Sequence, residues 1–234
     1  MNAMIARLDK QRHKVILMSL LLDISKNKIL KESLVFKWWT ALFLLYSLDR
    51  FSTDLDFDLI KNEYKEEQIM DEIWRILSKY WEVKDLRIKK FTIFWMMSYS
   101  QIDHNIKVEI NKRWISWNYN LYNFMGIQLY VLNIEYITAN KLLALTSRNN
   151  LANRDIYDVN FIIKNNLDIN KRRIEITTWK SFEEYIAYCI QFLEKLWKNH
   201  NILDWLWSTL QESQKQDIKM NLINDTIFLL HSLI

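Results

Sequence analysis

Residues 54–59 run Asp-Leu-Asp-Phe-Asp-Leu, and no other stretch of the chain restricts the fold as tightly. At a strand period of two, Asp54, Asp56 and Asp58 share one face while Leu55, Phe57 and Leu59 share the other. Such a strand needs a core behind it and an open, polar surface in front. Carboxylates two residues apart on a strand can together hold two Mg²⁺ ions roughly 3.5 to 4 Å apart, the arrangement that clamps the attacking and leaving oxygens of an in-line phosphoryl displacement. Taken alone, the alternation also describes a solvated edge strand.

The surrounding residues decide between these readings. The segment Phe36-Lys37-Trp38-Trp39-Thr40-Ala41-Leu42 precedes a short helical stretch, and Arg50-Phe51-Ser52-Thr53 leads into Asp54. Together they resemble the opening motif of the AbiEii nucleotidyltransferase toxins, a branch of the DNA polymerase β-like superfamily. That motif is a Gly-Gly-Thr-Ala-Leu turn and helix followed by Arg-Phe-Ser-x-Asp-hydrophobic-Asp. The two glycines are the departure, and they are Trp38 and Trp39 here.

Composition becomes informative at this point. The 234 residues include one Gly, no Pro and eleven Trp, where Gly near 7% and Pro near 5% are usual. Indoles cannot do what a Gly-Gly turn does, which is to adopt positive φ freely and let backbone N–H groups approach a triphosphate at a helix N-terminus. One reading accounts for both observations: many of these tryptophans are glycines translated through the wrong code, UGA meaning Gly in the source organism. Trp81, in Tyr80-Trp81-Glu82, stands where a left-handed glycine is expected after a helix, and Leu203-Asp204-Trp205-Leu206-Trp207-Ser208 reads as a glycine-punctuated loop. With glycine scarce, turns fall to Asn, Asp and Ser, as at Asn149-Asn150 and Asn165-Asn166.

Two further constellations extend the resemblance, which spans about Val35 to Ile163. Residues 105–113 place Lys107, Glu109 and Asn111 on one face of a strand and Ile106, Val108 and Ile110 on the other. Glu109 is a candidate third carboxylate, completing the metal site or deprotonating the acceptor hydroxyl. Ala139-Asn140-Lys141-Leu142-Leu143-Ala144-Leu145 resembles the family's Lys-Leu-x-Ala-Leu helix, and Arg154-Asp155-Ile156-Tyr157-Asp158 its Arg-Asp-x-x-Asp helix. The resemblance implies that Asp54 and Asp56 hold Mg²⁺ or Mn²⁺, and that Ser52, Lys141 and Arg154 contact the nucleotide. It makes residues 38–40, Trp38, Trp39 and Thr40, the phosphate turn. Asp155 orients Lys141 or binds nucleotide, and Asp158 braces the site through Arg154 or Arg148.

The expected fold is α+β, a polymerase β-like lobe with a mixed sheet over 1–133 followed by a helical lobe over 134–234 that completes the active site and packs on the first. Periodicity predicts helices over 3–27, 40–47 and 66–80, and strands over 34–37, 54–59, 83–90, 92–100, 106–111 and 127–132. The tail positions Phe182, Tyr185, Ile186, Ile190, Phe192 and Leu193 suggest packing against the first lobe.

The resemblance implies transfer of a nucleoside monophosphate from an NTP to an acceptor hydroxyl on RNA, such as the 3′ end of tRNA, by a toxin of a toxin–antitoxin or phage-defence system with an antitoxin partner. A small-molecule acceptor remains open, as does a silent binding protein should Trp38 and Trp39 be genuine. A net charge of +4 and pI near 8.9 are mildly consistent with a polyanionic partner, with basic residues at Lys84, Arg87, Lys89, Lys90, Lys112 and Arg113. The single Cys189 excludes an internal disulfide and fits a reducing cytoplasm. The apolar run Val15–Leu22 reads as a buried helix rather than a membrane span or signal segment.

Overall fold

The computed structural model describes residues 9–60, 63–100, 105–113, 118–147, 152–196, 202, 206 and 208–234. The chain divides into two compact units: residues 1–47 with 51–132, and residues 48–50 with 133–234.

The first unit is built on a seven-stranded sheet. Helices α1 (Lys10–Lys26) and α2 (Lys28–Ser33) lead into β1 (Leu34–Phe36), α3 (Trp38–Leu45) and the acidic strand β2 (Asp54–Leu59). Then follow α4 (Glu66–Leu77), β3 (Glu82–Ile88), β4 (Thr92–Ser98), β5 (Ile106–Asn111), β6 (Tyr119–Phe124) and β7 (Ile127–Leu132). The sheet order is β3-β4-β5-β2-β1-β7-β6, with β2/β5 and β1/β7 parallel and the other neighbours antiparallel. The mixed sheet and successive antiparallel β3-β4-β5 agree with the alternation read from the sequence.

One face of this sheet is the core. Leu55 and Phe57 of β2, Val108 and Ile110 of β5, and Ile93, Trp95 and Met97 of β4 are all buried. Ile24 of α1 and Leu30 of α2 line the same small internal space as Leu34, Phe36 and Phe57, so these helices cover the face opposite the acids. The buried stripe Ile69, Ile73, Ile76 and Leu77 of α4 follows the helical period.

Strand β6 is absent from the sequence expectation, and its composition explains why. It lies at the sheet edge, Asn120 and Asn123 interrupt the alternation, and most of its side chains are exposed. A two-residue hairpin joins it to β7, with Met125 at φ 51° and the chain's single glycine, Gly126, at φ 81°. Positive φ at both central positions is the backbone that matches the twist of a two-residue hairpin.

The second unit is helical: α5 (Ile134–Ser147), α6 (Asn153–Lys164), α7 (Lys171–Thr178), α8 (Phe182–Leu196) and α9 (Glu212–His231). Nine consecutive residues of α5, Ile137 to Leu145, are buried, which marks it as the central helix. Of the predicted tail positions, Phe182, Tyr185, Ile186, Ile190 and Leu193 are buried and Phe192 is half-buried. Tyr185 donates to the Leu142 carbonyl at 2.8 Å, fixing α8 on α5. Helix α6 closes on Asn166 at φ 50°: the Asn166 amide reaches the Ile163 carbonyl at 3.0 Å, and the Leu167 amide reaches that of Ile162 at 3.1 Å. This is a Schellman ending with Asn doing the work of glycine.

Candidate functional site

The acids of the sheet unit are sorted by their partners. Asp58 is buried and committed: its Oδ1 accepts from Lys37 Nζ at 2.5 Å and from Asn111 Nδ2 at 2.7 Å. Asp54 and Asp56 lie further along the same face, Asp54 half-buried and Asp56 9% exposed. Asp54 accepts a long contact from the Lys107 amide at 3.4 Å. In the parallel pairing of β2 with β5, Asp56 stands directly beside Glu109, and Asp54 beside Lys107. Neighbouring strands are about 4.8 Å apart, and paired side chains project to one face. The register thus brings Asp54, Asp56 and the exposed Glu109 together as one acidic surface backed by the apolar core.

The turn before β2 is tied to the helix that follows β1. Thr40 Oγ1 and Ser52 Oγ are 2.7 Å apart, and Thr40 also donates to the Asp54 carbonyl. Both hydroxyls are buried, so Thr40 and Ser52 hold the start of β2 against the first turn of α3. Trp38 opens α3 at φ 64°, the left-handed region, and its ring lies 5.8 Å from that of Trp39, both half-buried. Lys37 Nζ lies 5.2 Å from the Trp38 ring centroid. The backbone at position 38 is therefore the one a glycine turn would take.

Position 81 does not follow suit. Helix α4 ends at Leu77, and the chain closes with the Lys79 and Tyr80 amides bonded to Ile76 and Leu77. Trp81 is not among the residues with positive φ, so the expectation of a left-handed helix cap there is corrected. Trp205 and Trp207, with Arg148 and Asn149-Asn150, lie outside the described residues.

The helical unit holds a buried ion network. Lys141 of α5, fully buried, reaches Asp155 Oδ1 at 3.1 Å and Asp158 Oδ2 at 2.5 Å. Arg50 binds Asp158 bidentately, Nε to Oδ1 at 2.5 Å and Nη2 to Oδ2 at 2.7 Å. Burial pushes the Asp158 carboxyl up, but the Arg50 guanidinium and the Lys141 ammonium outweigh it and hold the group below the usual carboxylate range. The sequence reading paired Asp158 with Arg154 or Arg148; the structure pairs it with Arg50 and Lys141, the two basic groups that the fold brings to α6. Arg154 is half-buried on α6. Next to this network the Tyr157 hydroxyl donates to Asp49 at 2.5 Å, and burial first, then Asp49, raises its pKa well above the ordinary phenol value.

Sequence reasoning also passed over His13 of α1. Its ring, fully buried, lies 2.7 Å from the Tyr99 hydroxyl through Nδ1 and 3.0 Å from the Thr53 carbonyl through Nε2. It thereby fixes the residue just before Asp54. No local pattern marks it, because it sits in the polar run Lys10-Gln11-Arg12-His13-Lys14 at the start of α1.

A family model for the nucleotidyltransferase AbiEii toxin of type IV toxin–antitoxin systems matches residues 20–221. The chain belongs to the AbiEii family. Membership makes it a nucleotidyltransferase of the toxin type, and the acidic strand, the Glu109 strand and the Lys141 and Asp155 helices all lie within the matched region. Two solved structures share the fold. A Helicobacter pylori protein assigned to the nucleotidyltransferases aligns over 95% of this chain and 93% of its own, at TM-score 0.62 and 20% identity. JHP933 from Helicobacter pylori aligns over 96% and 92%, at TM-score 0.62 and 19% identity. Comparison with curated proteins gives no match. Among the described residues, no helix of this AbiEii chain is long and apolar enough to cross a membrane.

Proposed function

We propose that this AbiEii protein moves a nucleoside monophosphate from an NTP to a hydroxyl of RNA, with tRNA 3′ ends as the acceptor class, under control of a cognate antitoxin in the cytoplasm, as a toxin of a phage-defence system. The observation that carries the proposal is the register that sets Glu109 beside Asp56 and one step from Asp54 on an otherwise apolar-backed sheet.

The donor set fits Mg²⁺ or Mn²⁺. Among the described residues no three His, Cys, Asp or Glu side chains form a cage that would hold a metal unaided. Mg²⁺ in phosphoryl-transfer sites is held by one or two carboxylates together with substrate phosphates and water, and Asp54 and Asp56 supply those two carboxylates. When bound, the metal neutralises charge that builds on the phosphate oxygens. The diversion of Asp58 to Lys37 and Asn111 leaves this role to the first two acids.

The rest of the chemistry falls to the chain. The acceptor oxygen forms a bond to the α-phosphorus as the bond to the β-phosphate oxygen breaks, releasing pyrophosphate, and Glu109 takes the proton of the attacking hydroxyl. Backbone amides at the start of α3 bind phosphate oxygens, provided the turn at 38–39 leaves room for them. Ser52 and Thr40 position that turn; the assignment of Lys141 and Asp155 to the nucleotide rests on the family motif, since both are fully buried in an ion pair of the helical unit.

One observation favours a second reading. Indoles stand at 38 and 39 with their rings 5.8 Å apart, and if they take the space a triphosphate needs, the protein is a silent binding protein. The test incubates the chain, with and without Trp38→Gly and Trp39→Gly, with each α-³²P-NTP and either total tRNA or small hydroxyl compounds of the aminoglycoside type. Label on tRNA supports the proposal; label on the small molecules alone overturns the acceptor; no label in either form establishes the silent reading.

A further inference from the structure

Six tryptophans lie among the described residues, and of these only Trp95 is a fully buried core indole. Trp38 and Trp179 both occupy the left-handed region, at φ 64° and φ 58°. For a bulky side chain this is an outlier, since the Cβ clashes with neighbouring backbone, whereas glycine adopts it without cost. Trp179 is the C-cap of α7, its amide bonded to the Glu175 carbonyl, and it is 92% exposed. Nothing packs the indole there, yet the backbone is that of a glycine helix ending. Trp74 and Trp81 are also exposed, at 45% and 57%. Trp95 is the buried one, and its indole N–H has no hydrogen-bond partner.

We infer that positions 38 and 179 are glycine in the protein its own cell makes, through TGA codons decoded as glycine. Position 38 rests on its backbone, and 179 on backbone and exposure. The codons test this directly: TGA at both supports the inference, and TGG at either overturns it. A second measurement works on the protein. Trp179→Gly should raise the urea midpoint and Trp179→Ala should not, because alanine keeps the Cβ; equal midpoints for the two variants would overturn the assignment at 179.

A different observation carries a second inference. Across the sheet, Asp56 pairs with Glu109, Glu109 with Phe94 and Phe94 with Arg87. Paired residues share a face, so Phe94 and Arg87 continue the acidic surface outward, Phe94 about 10 Å from Asp56 at the usual strand spacing. Phe94 is half-buried although Ile93 and Trp95 on either side of it are fully buried on the other face. The Arg87 side chain is 62% exposed, its guanidinium 5.9 Å from the Phe94 ring centroid and held by Asp85 at 2.7 Å. At the end of the same hairpin, exposed Phe91 is flanked by Lys90 and Arg113 at 5.1 and 4.8 Å from its ring. Aromatic rings interleaved with cations are the makings of a surface for single-stranded nucleic acid.

We propose that Phe94 and Arg87 form a stacking platform for a base of the acceptor RNA close to the attacking hydroxyl, with the Lys90 and Arg113 cluster attracting the phosphates behind it. The proposal rests on the RNA-acceptor reading. In the Trp38→Gly, Trp39→Gly chain, Phe94→Ala should raise KM for RNA roughly tenfold, the loss of one stacked base, and leave KM for NTP unchanged. Phe94→Tyr, which keeps the ring, should restore it. A rise in KM for NTP instead, or no change in either constant, overturns the platform while labelled RNA upholds the acceptor reading; absence of RNA labelling in the parent chain defeats that reading and the platform with it.

Discussion

Between the acidic strand and the helix that crosses beneath it, His13 shows how a single side chain can fix a site from behind. The ring bridges the Tyr99 hydroxyl and the Thr53 carbonyl, and Thr53 adjoins Asp54. Both partners are buried or half-buried, so removing the ring strands polar groups away from water. His13→Ala is expected to cost about 2 to 3 kcal/mol in chemical denaturation, and His13→Phe, which restores volume but no hydrogen bond, should recover only part of it. An unchanged denaturation midpoint would show that the bridge contributes nothing. Glu109 can be tested at the same scale. Glu109→Gln keeps size and polarity but cannot take a proton, so a proton acceptor there predicts a kcat loss of roughly 10² to 10⁴ with little change in KM for NTP. A loss confined to KM would assign Glu109 to binding instead.

At the scale of elements, the helices of the second unit are joined by charge as well as by apolar packing. Asp158 sits fully buried between Arg50 and Lys141, with Asp155 on the far side of the lysine. Breaking one partner of a buried network leaves an uncompensated charge, so Arg50→Ala should destabilise the protein by about 3 to 5 kcal/mol. The pH dependence follows from the lowered Asp158 pKa. A carboxyl whose folded pKa lies below its unfolded value contributes stability that is fully present above the unfolded value, about 3.9, and is lost as pH falls through the folded one. Urea midpoints of the parent should therefore decline as pH drops below about 4, and Asp158→Asn should show a shallower decline from a lower starting stability.

Strands β2 and β5 are legible at their observed bounds because polar and apolar residues alternate in each, and β7 because it is a short apolar, β-branched run. Strand β6 escaped because an edge strand with two asparagines and exposed side chains has no face to declare. The acids Asp54, Asp56 and Glu109 were legible as candidates, but their adjacency is a matter of parallel register between strands some fifty residues apart, which no local pattern encodes. Arg50 as a partner of Asp158 is illegible for the same reason: it lies more than a hundred residues away in sequence, whereas Arg154 is one helical turn away. Asn166 was legible as a turn because Asn is the residue, after glycine, that best tolerates left-handed backbone.

For the molecule as a whole, family membership and fold agree with the opening motif, and the conflict is chemical: an indole, Trp38, on backbone that suits glycine. The central claim is that Asp54 and Asp56 serve nucleotidyl transfer. The most direct test measures pyrophosphate release and transfer of α-³²P label to tRNA, with Mg²⁺ present, in the Trp38→Gly, Trp39→Gly chain and in its Asp54→Asn derivative. Stoichiometric pyrophosphate and labelled RNA in the first, with both reduced at least a hundredfold in the second while the melting temperature holds, is the predicted result. Equal transfer by both proteins, or none by either with every NTP, would contradict it.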